Sequence, residues 1–149
     1  MLGVKLRNNR LYLILAILLI CGIILLGVAS KSISRSDPQS YVSRIVDGDT
    51  FDLSTGERVR LICVDTPEIN QEGYDEAKEF LKSMIFNKRV RLEKDISETD
   101  KYGRLLRYVY VNISGDEIFV NKELFRKGYG EIFRYGNDTR RCNEIEGLD

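Results

Sequence analysis

Arg60-Leu61-Ile62-Cys63-Val64-Asp65-Thr66-Pro67-Glu68 is the stretch whose reading decides the fold. Its first five residues are apolar or β-branched apart from Arg60, in a run too short for a stable helix, so they read as a strand. Pro67 cannot donate to a ladder and biases Thr66 toward an extended backbone, so the strand ends there and presents Asp65, Thr66 and Glu68 at its rim. Two carboxylates and an arginine then stand at the edge of a small sheet. Taken alone, this equally describes a solvated strand end with a surface ion pair, and the rest of the chain must decide.

Upstream, Tyr41 to Val46 alternates as a strand, Asp47-Gly48 turns, and Asp49 to Leu53 alternates again. Ser54-Thr55-Gly56 returns the chain into Glu57 to Asp65. A three-residue loop with its glycine left-handed sets Leu53 opposite Glu57 and Asp49 opposite Leu61, beside Arg60. The register is open by one residue, and with it the face that Arg60 occupies.

Downstream, Asp75 to Phe86 carries Ala77, Phe80, Leu81, Met84 and Ile85 at helical spacing, with Asp75 available as a cap. Arg89 to Glu93 and Leu105 to Ile113 read as strands joined by a polar loop, and Asn121 to Lys127 as a helix stopped by Gly128. Three strands, a helix, two strands and a helix predict an α+β domain, mainly β. The matching architecture is a five-stranded Greek-key barrel of the OB-fold type with two or three helices, a barrel that often binds oligonucleotides.

The 149-residue chain has 23 Lys/Arg and 23 Asp/Glu. Residues 1–40 hold five of the basic and one of the acidic residues, leaving 18 basic and 22 acidic in 41–149. An acidic domain argues against avid non-specific binding to nucleic acid, while allowing a local basic groove. The absence of histidine removes Ser-His-Asp and Cys-His nucleophile systems and every histidine metal site. Acid-base chemistry falls to carboxylates, lysine or tyrosine. No CxxC spacing suggests zinc.

Leu11 to Ala29 is uncharged and apolar apart from Tyr12, and follows Lys5, Arg7 and Arg10. It reads as one transmembrane helix behind a short cytoplasmic segment, residues 1–10. A secretory signal cleaved near Val28-Ala29-Ser30 is the other reading. Either places the following domain outside the cell, at the membrane or secreted. Residues 30–40 are serine-rich and read as a linker, and the domain itself as 41–149.

Asp47-Gly48-Asp49-Thr50, Arg60 to Glu68, and Thr99-Asp100-Lys101-Tyr102-Gly103-Arg104 together resemble the staphylococcal nuclease (thermonuclease) family over about residues 41–136. The resemblance implies a calcium-dependent nuclease that hydrolyses DNA and RNA, single strands preferred, endo- and exonucleolytically to 3'-phosphates, as a monomeric domain. Carried over by position, Asp49, Asp65 and Thr66 (through its carbonyl) match the calcium ligands. Arg60, Glu68 and Arg104 match the catalytic residues. The residue types suit the chemistry. Calcium prefers carboxylate and carbonyl oxygens. Glu68 can serve as general base, and planar guanidiniums can pair with the oxygens of the phosphoryl transition state.

Lys101 and Tyr102 match positions that contact a neighbouring phosphate, with a solvated lysine and a packed tyrosine as the alternative. Tyr135 offers a base-stacking face or a core residue, since Arg134 falls close to the family's tyrosine. Asp47 and Asp100 read as turn and loop caps rather than ligands.

The segment Ile69 to Tyr74 is shorter than in the staphylococcal enzyme and lacks its lysines, and Arg140 to Asp149 is short and polar where the family continues as a long helix. Stability is therefore at stake. In an oxidising exterior, a Cys63–Cys142 disulfide would pin the abbreviated tail to the barrel. The rival reading for the whole chain is a non-catalytic, membrane-tethered OB-type module binding nucleic acid or protein.

Overall fold

The alternating segments close into a barrel. The computed structural model describes residues 40–148, so the apolar segment 11–29, residues 1–10 and linker residues 30–39 lie outside the described residues. Its strands are β1 (Ser40–Ile45), β2 (Thr50–Leu53), β3 (Arg58–Leu61), β4 (Cys63–Asp65), β5 (Arg89–Glu93), β6 (Leu105–Ile113), β7 (Asp116–Phe119) and β8 (Glu131–Phe133). The helices are α1 (Tyr74–Ile85), α2 (Val120–Arg126) and α3 (Cys142–Glu146). Strand order β3-β2-β1-β5-β6, with β3 pairing β6 in parallel, makes a closed five-stranded barrel of the OB type, and β7 adds to the outer part of β6. Among the described residues no helix is long and apolar enough to cross a membrane.

The β2–β3 hairpin has the expected register. Thr50 pairs Arg60 and Asp52 pairs Arg58, the Leu61 N–H donates to the Asp49 carbonyl at 2.9 Å, and Gly56 has φ 101°. In β1 the simple alternation fails. The register shifts between Val42 and Arg44, so a bulge turns both Val42 and Ile45 inward.

The larger departure lies in the deciding stretch, which is two strands rather than one. β3 ends at Leu61, Cys63 has φ 65°, and β4 leaves the barrel to pair antiparallel with β8. The break sits where barrel closure uses the chain, since the Ile62 N–H donates to the Arg107 carbonyl at 3.0 Å. Buried Asn121, in the first turn of α2, secures it. Its Nδ2 donates to the Ile62 carbonyl at 2.9 Å, and its Oδ1 accepts the Val109 N–H at 2.9 Å.

Helix α1 buries Ala77, Leu81, Met84 and Ile85. Asp75 is not its cap. Gly73 occupies that position with φ 89°, and Asp75 lies in the first turn, where its charge complements the helix dipole. The α2 helix ends as its pattern predicts: Gly128 has φ 76° and Tyr129 N–H returns to the Leu124 carbonyl at 3.0 Å. Core residues from every barrel strand surround Phe51, Val59, Tyr108 and Val109.

The short C-terminus is not a loose polar tail. Cys142 is disulfide-bonded to Cys63, and both Cys142 and Ile145 are buried. Arg141 donates its N–H to the Tyr108 hydroxyl at 3.1 Å and its Nε to Glu93 at 2.7 Å, while Arg134 pairs with Glu146 at 2.5 Å.

Two measurements check these supports in the full-length chain. Asn121→Leu strands buried backbone groups and should lower unfolding free energy by about 2–4 kcal/mol in urea titrations, with slope unchanged. Replacing both cysteines by serine removes a cross-link spanning 79 residues, a separation for which chain entropy gives up to about 4.5 kcal/mol. The double variant should melt well below the oxidised protein and show no further drop on reduction.

Candidate active site

A straight strand would separate Arg60 from Asp65 by about 17 Å at roughly 3.3 Å per residue. The break at Ile62–Cys63 folds that distance away. Arg60 Nη2 meets Asp65 Oδ1 at 2.5 Å, and Nη1 meets Asp49 Oδ2 at 2.8 Å. The same Nη1 donates to the Val64 carbonyl at 2.7 Å, so the guanidinium braces the bend that brings it to Asp65. Arg60 is mostly buried and Asp49 almost wholly so, whereas Asp65 opens to solvent.

Asp49 is oriented from behind. Thr66 donates both its N–H and its Oγ1 hydroxyl to Asp49 Oδ2, at 2.9 and 3.0 Å, and Thr50 Oγ1 donates to Oδ1 at 3.0 Å. Burial pushes the Asp49 carboxyl up to about 6, against the opposing charge of Arg60. Asp47 accepts the Asp49 N–H at 3.1 Å and so caps the turn.

Asp47, Asp49, Arg60 and Asp65 line a cavity of about 320 Å³ that also takes in Glu68, Asp100, Lys101, Tyr102, Arg104, Phe133, Tyr135 and Asp138. Glu68 is exposed, and its N–H is held by Gln71 Oε1 at 2.8 Å. Arg104 pairs with Asp100 at 2.6 Å. Burial alone would raise the Asp100 pKa, but hydrogen bonds from the Arg104 side chain and the Arg104 and Tyr102 N–H groups hold it below the usual range. Asp100 is therefore a loop cap that fixes Arg104. Lys101 and Arg104 both lie over the exposed Tyr102 ring, at 5.0 and 5.4 Å from its centre.

Eight of the nine residues singled out for metal, catalysis or substrate thus share one cavity. Thr66 stands behind its wall, against Asp49. Tyr135 lines the cavity, whereas Arg134 pairs with Glu146 of α3. Phe133, stacked on Tyr135 at 6.4 Å, extends that wall.

Sequence reasoning missed the supports. Buried Asp138 accepts the Ile96 and Ser97 N–H groups at 2.9 and 2.8 Å, tying the Ile96–Arg104 loop to the C-terminal segment. Arg107 holds the same loop through the Glu98 carboxylate and the Glu98 carbonyl, the latter at 3.0 Å. Neither signal is local, since each partner lies many residues away. Gly48 is a third support. A Cβ there would fall 2.6 Å from Thr66 Oγ1 and 2.7 Å from Ala77 Cβ. Gly48→Ala should therefore displace Thr66 from Asp49 and lower stability by about 1–3 kcal/mol in thermal or urea unfolding.

The sequence relationships agree with this geometry. The family model described as staphylococcal nuclease homologue matches residues 58–148. A thermonuclease of Staphylococcus intermedius is 42% identical over 126 residues, 77% of this chain and 73% of that protein. The thermonuclease of Staphylococcus hyicus is 35% identical over 127 residues, 78% of this chain and 73% of its own length. An uncharacterized endonuclease of Escherichia coli O157:H7 is 28% identical over 117 residues, covering 76% and 73%. With the matched region spanning the barrel from β3 onward, the chain belongs to the staphylococcal nuclease homologue family.

Proposed function

We propose that this family nuclease is a calcium-dependent enzyme hydrolysing phosphodiester bonds of DNA and RNA to 3'-phosphate products. The observation that carries the reading is Arg60 braced between Asp49 and Asp65 in a cavity that also holds Arg104 and Glu68. Glu68 accepts a proton from the attacking water. Arg60 and Arg104 donate paired N–H groups to the equatorial oxygens, where negative charge grows during attack. Asp100 orients Arg104 beforehand, and the Val64 carbonyl holds Arg60 at the cavity wall. Lys101 and Tyr102 bind an adjacent phosphate, and Tyr135 stacks on a base.

The residues fit a hard cation. Asp49 and Asp65 converge on one guanidinium, Thr66 adjoins both, and burial leaves the Asp49 charge incompletely compensated. Among the described residues no group of three or more His, Cys, Asp or Glu is arranged for a metal. Two carboxylates and the Thr66 carbonyl leave the remaining positions to water and a substrate oxygen, a shell that calcium accepts. Calcium, when bound, would polarise the phosphoryl oxygen.

Residues 11–29 would anchor the domain at the membrane, facing outward. The Cys63–Cys142 bond supports that placement, because disulfides persist in oxidising compartments.

The test is digestion of single-stranded DNA by the full-length chain with calcium, with chelator, and with Glu68→Gln. Cleavage should need calcium, fall at least about 10²-fold in Glu68→Gln, and fall about 10²-fold or more in Arg60→Lys, which loses the paired donor geometry. A folded protein that binds the strand without cutting it would instead be a binding module.

A further inference from the structure

Beyond the catalytic cavity, the same wall continues into a second groove. It is lined by Asp52, Gly56, Arg58, Tyr102, Gly103 and Arg104, so it shares Tyr102 and Arg104 with the first. Arg58 is two residues before Arg60 on β3 and therefore projects from the same face, about 6.6 Å along the strand. The parallel pairing Val59 with Leu105 and Arg60 with Leu106, continued by one residue, puts Arg58 beside Arg104.

Two like charges are held side by side because each has its own aspartate. Arg104 is fixed by Asp100, and Arg58 by Asp52 through Nε at 2.7 Å and Nη2 at 3.3 Å. Arg44 also donates to Asp52, from Nη2 at 2.5 Å, so the Arg44–Asp52–Arg58 group keeps one net positive charge. Arg58 is close to half exposed and Asp52 mostly buried. The aspartate thus aims the guanidinium without neutralising the cluster, and Nη1 remains directed to no carboxylate among the described residues.

We infer that Arg58 is a phosphate-binding residue of a further substrate subsite. It takes the backbone phosphate next to the one that meets Arg60, on the side of the scissile bond away from Phe133 and Tyr135. The inference rests on the nuclease reading. Strand spacing supplies the match: an extended single-stranded backbone repeats its phosphates at intervals close to the i, i+2 spacing of a β-strand, so one strand face can present guanidiniums to successive phosphates. The exposed Tyr102 ring between the grooves offers the intervening nucleoside a stacking surface. An acidic domain thereby gains affinity through a short ordered row of arginines rather than through overall charge.

The experiment uses the full-length chain with Arg58→Gln, Arg58→Lys and Arg44→Gln. Steady-state cleavage is compared on oligothymidylates of two nucleotides and of six. Arg58→Gln should raise KM on the hexamer roughly five-fold with kcat nearly unchanged, the size expected for one partly exposed charge contact, and Arg58→Lys should recover part of it. The KM increase should be smaller on the dinucleotide, which has no phosphate to reach the groove. Hexamer affinity, read by fluorescence anisotropy in the Glu68→Gln background, should lose about 0.7 from its log–log salt slope when Arg58 is removed.

Arg44→Gln, which disturbs Asp52 without lining the groove, separates subsite from scaffold. Equal effects of Arg44→Gln and Arg58→Gln, equal effects on both substrate lengths, or an unchanged salt slope would each overturn the subsite. Absence of cleavage by the unmodified chain with calcium would overturn the nuclease reading instead, and the anisotropy arm would still judge Arg58.

Discussion

Arg60, set beside Asp49 by the β2–β3 pairing, also touches Asp65 because the chain turns sharply at Ile62–Cys63, and much of the structure serves that turn. Barrel closure fixes β3 against β6, Asn121 bridges the Ile62 carbonyl at the break to the Val109 N–H of β6, and β8 receives the departing strand β4. Each of these would be costly to lose in the interior, where an unpaired amide or carbonyl has no water to turn to. The site and the barrel closure are therefore one piece of architecture.

The second arginine is positioned by different means. Arg104 sits at the end of a loop without regular structure, and such loops are ordinarily the mobile part of a small domain. Here Asp100 caps it from within, Arg107 grips Glu98 from the barrel, and Asp138 holds its first residues from the C-terminal segment. In the proposed reaction, a guanidinium that meets a developing phosphate charge gains from such restraint, because orientation is settled before substrate binds.

That C-terminal segment also answers a problem of size. A domain of roughly a hundred residues has a modest core, and a long terminal helix is one way to cover it. In this chain α3 contributes to that cover, burying Cys142 and Ile145 and cross-linking to Cys63, while Arg134, Arg140 and Arg141 reach acidic partners. Because Cys63 is in the bend itself, the cross-link steadies the segment between Arg60 and Asp65 as well as the tail.

The sequence by itself determined most of the barrel strands, the two longer helices and, to within one residue, the β2–β3 register. These follow from short-range physics: side-chain alternation, helical spacing, and glycine where φ must be positive. It also pointed to Cys63 and Cys142 as a pair, through a tail too polar to hold itself. Local pattern was silent on the bulge in β1, the break within Arg60–Asp65, the capping of α1 by Gly73, and the roles of Asn121, Asp138, Arg107 and Gly48. Those depend on partners distant in the chain, such as Asn121 reaching Ile62 or Asp138 reaching Ile96. Only the closed barrel brings such groups together, because hydrogen-bond satisfaction in a buried interior is a property of the whole fold.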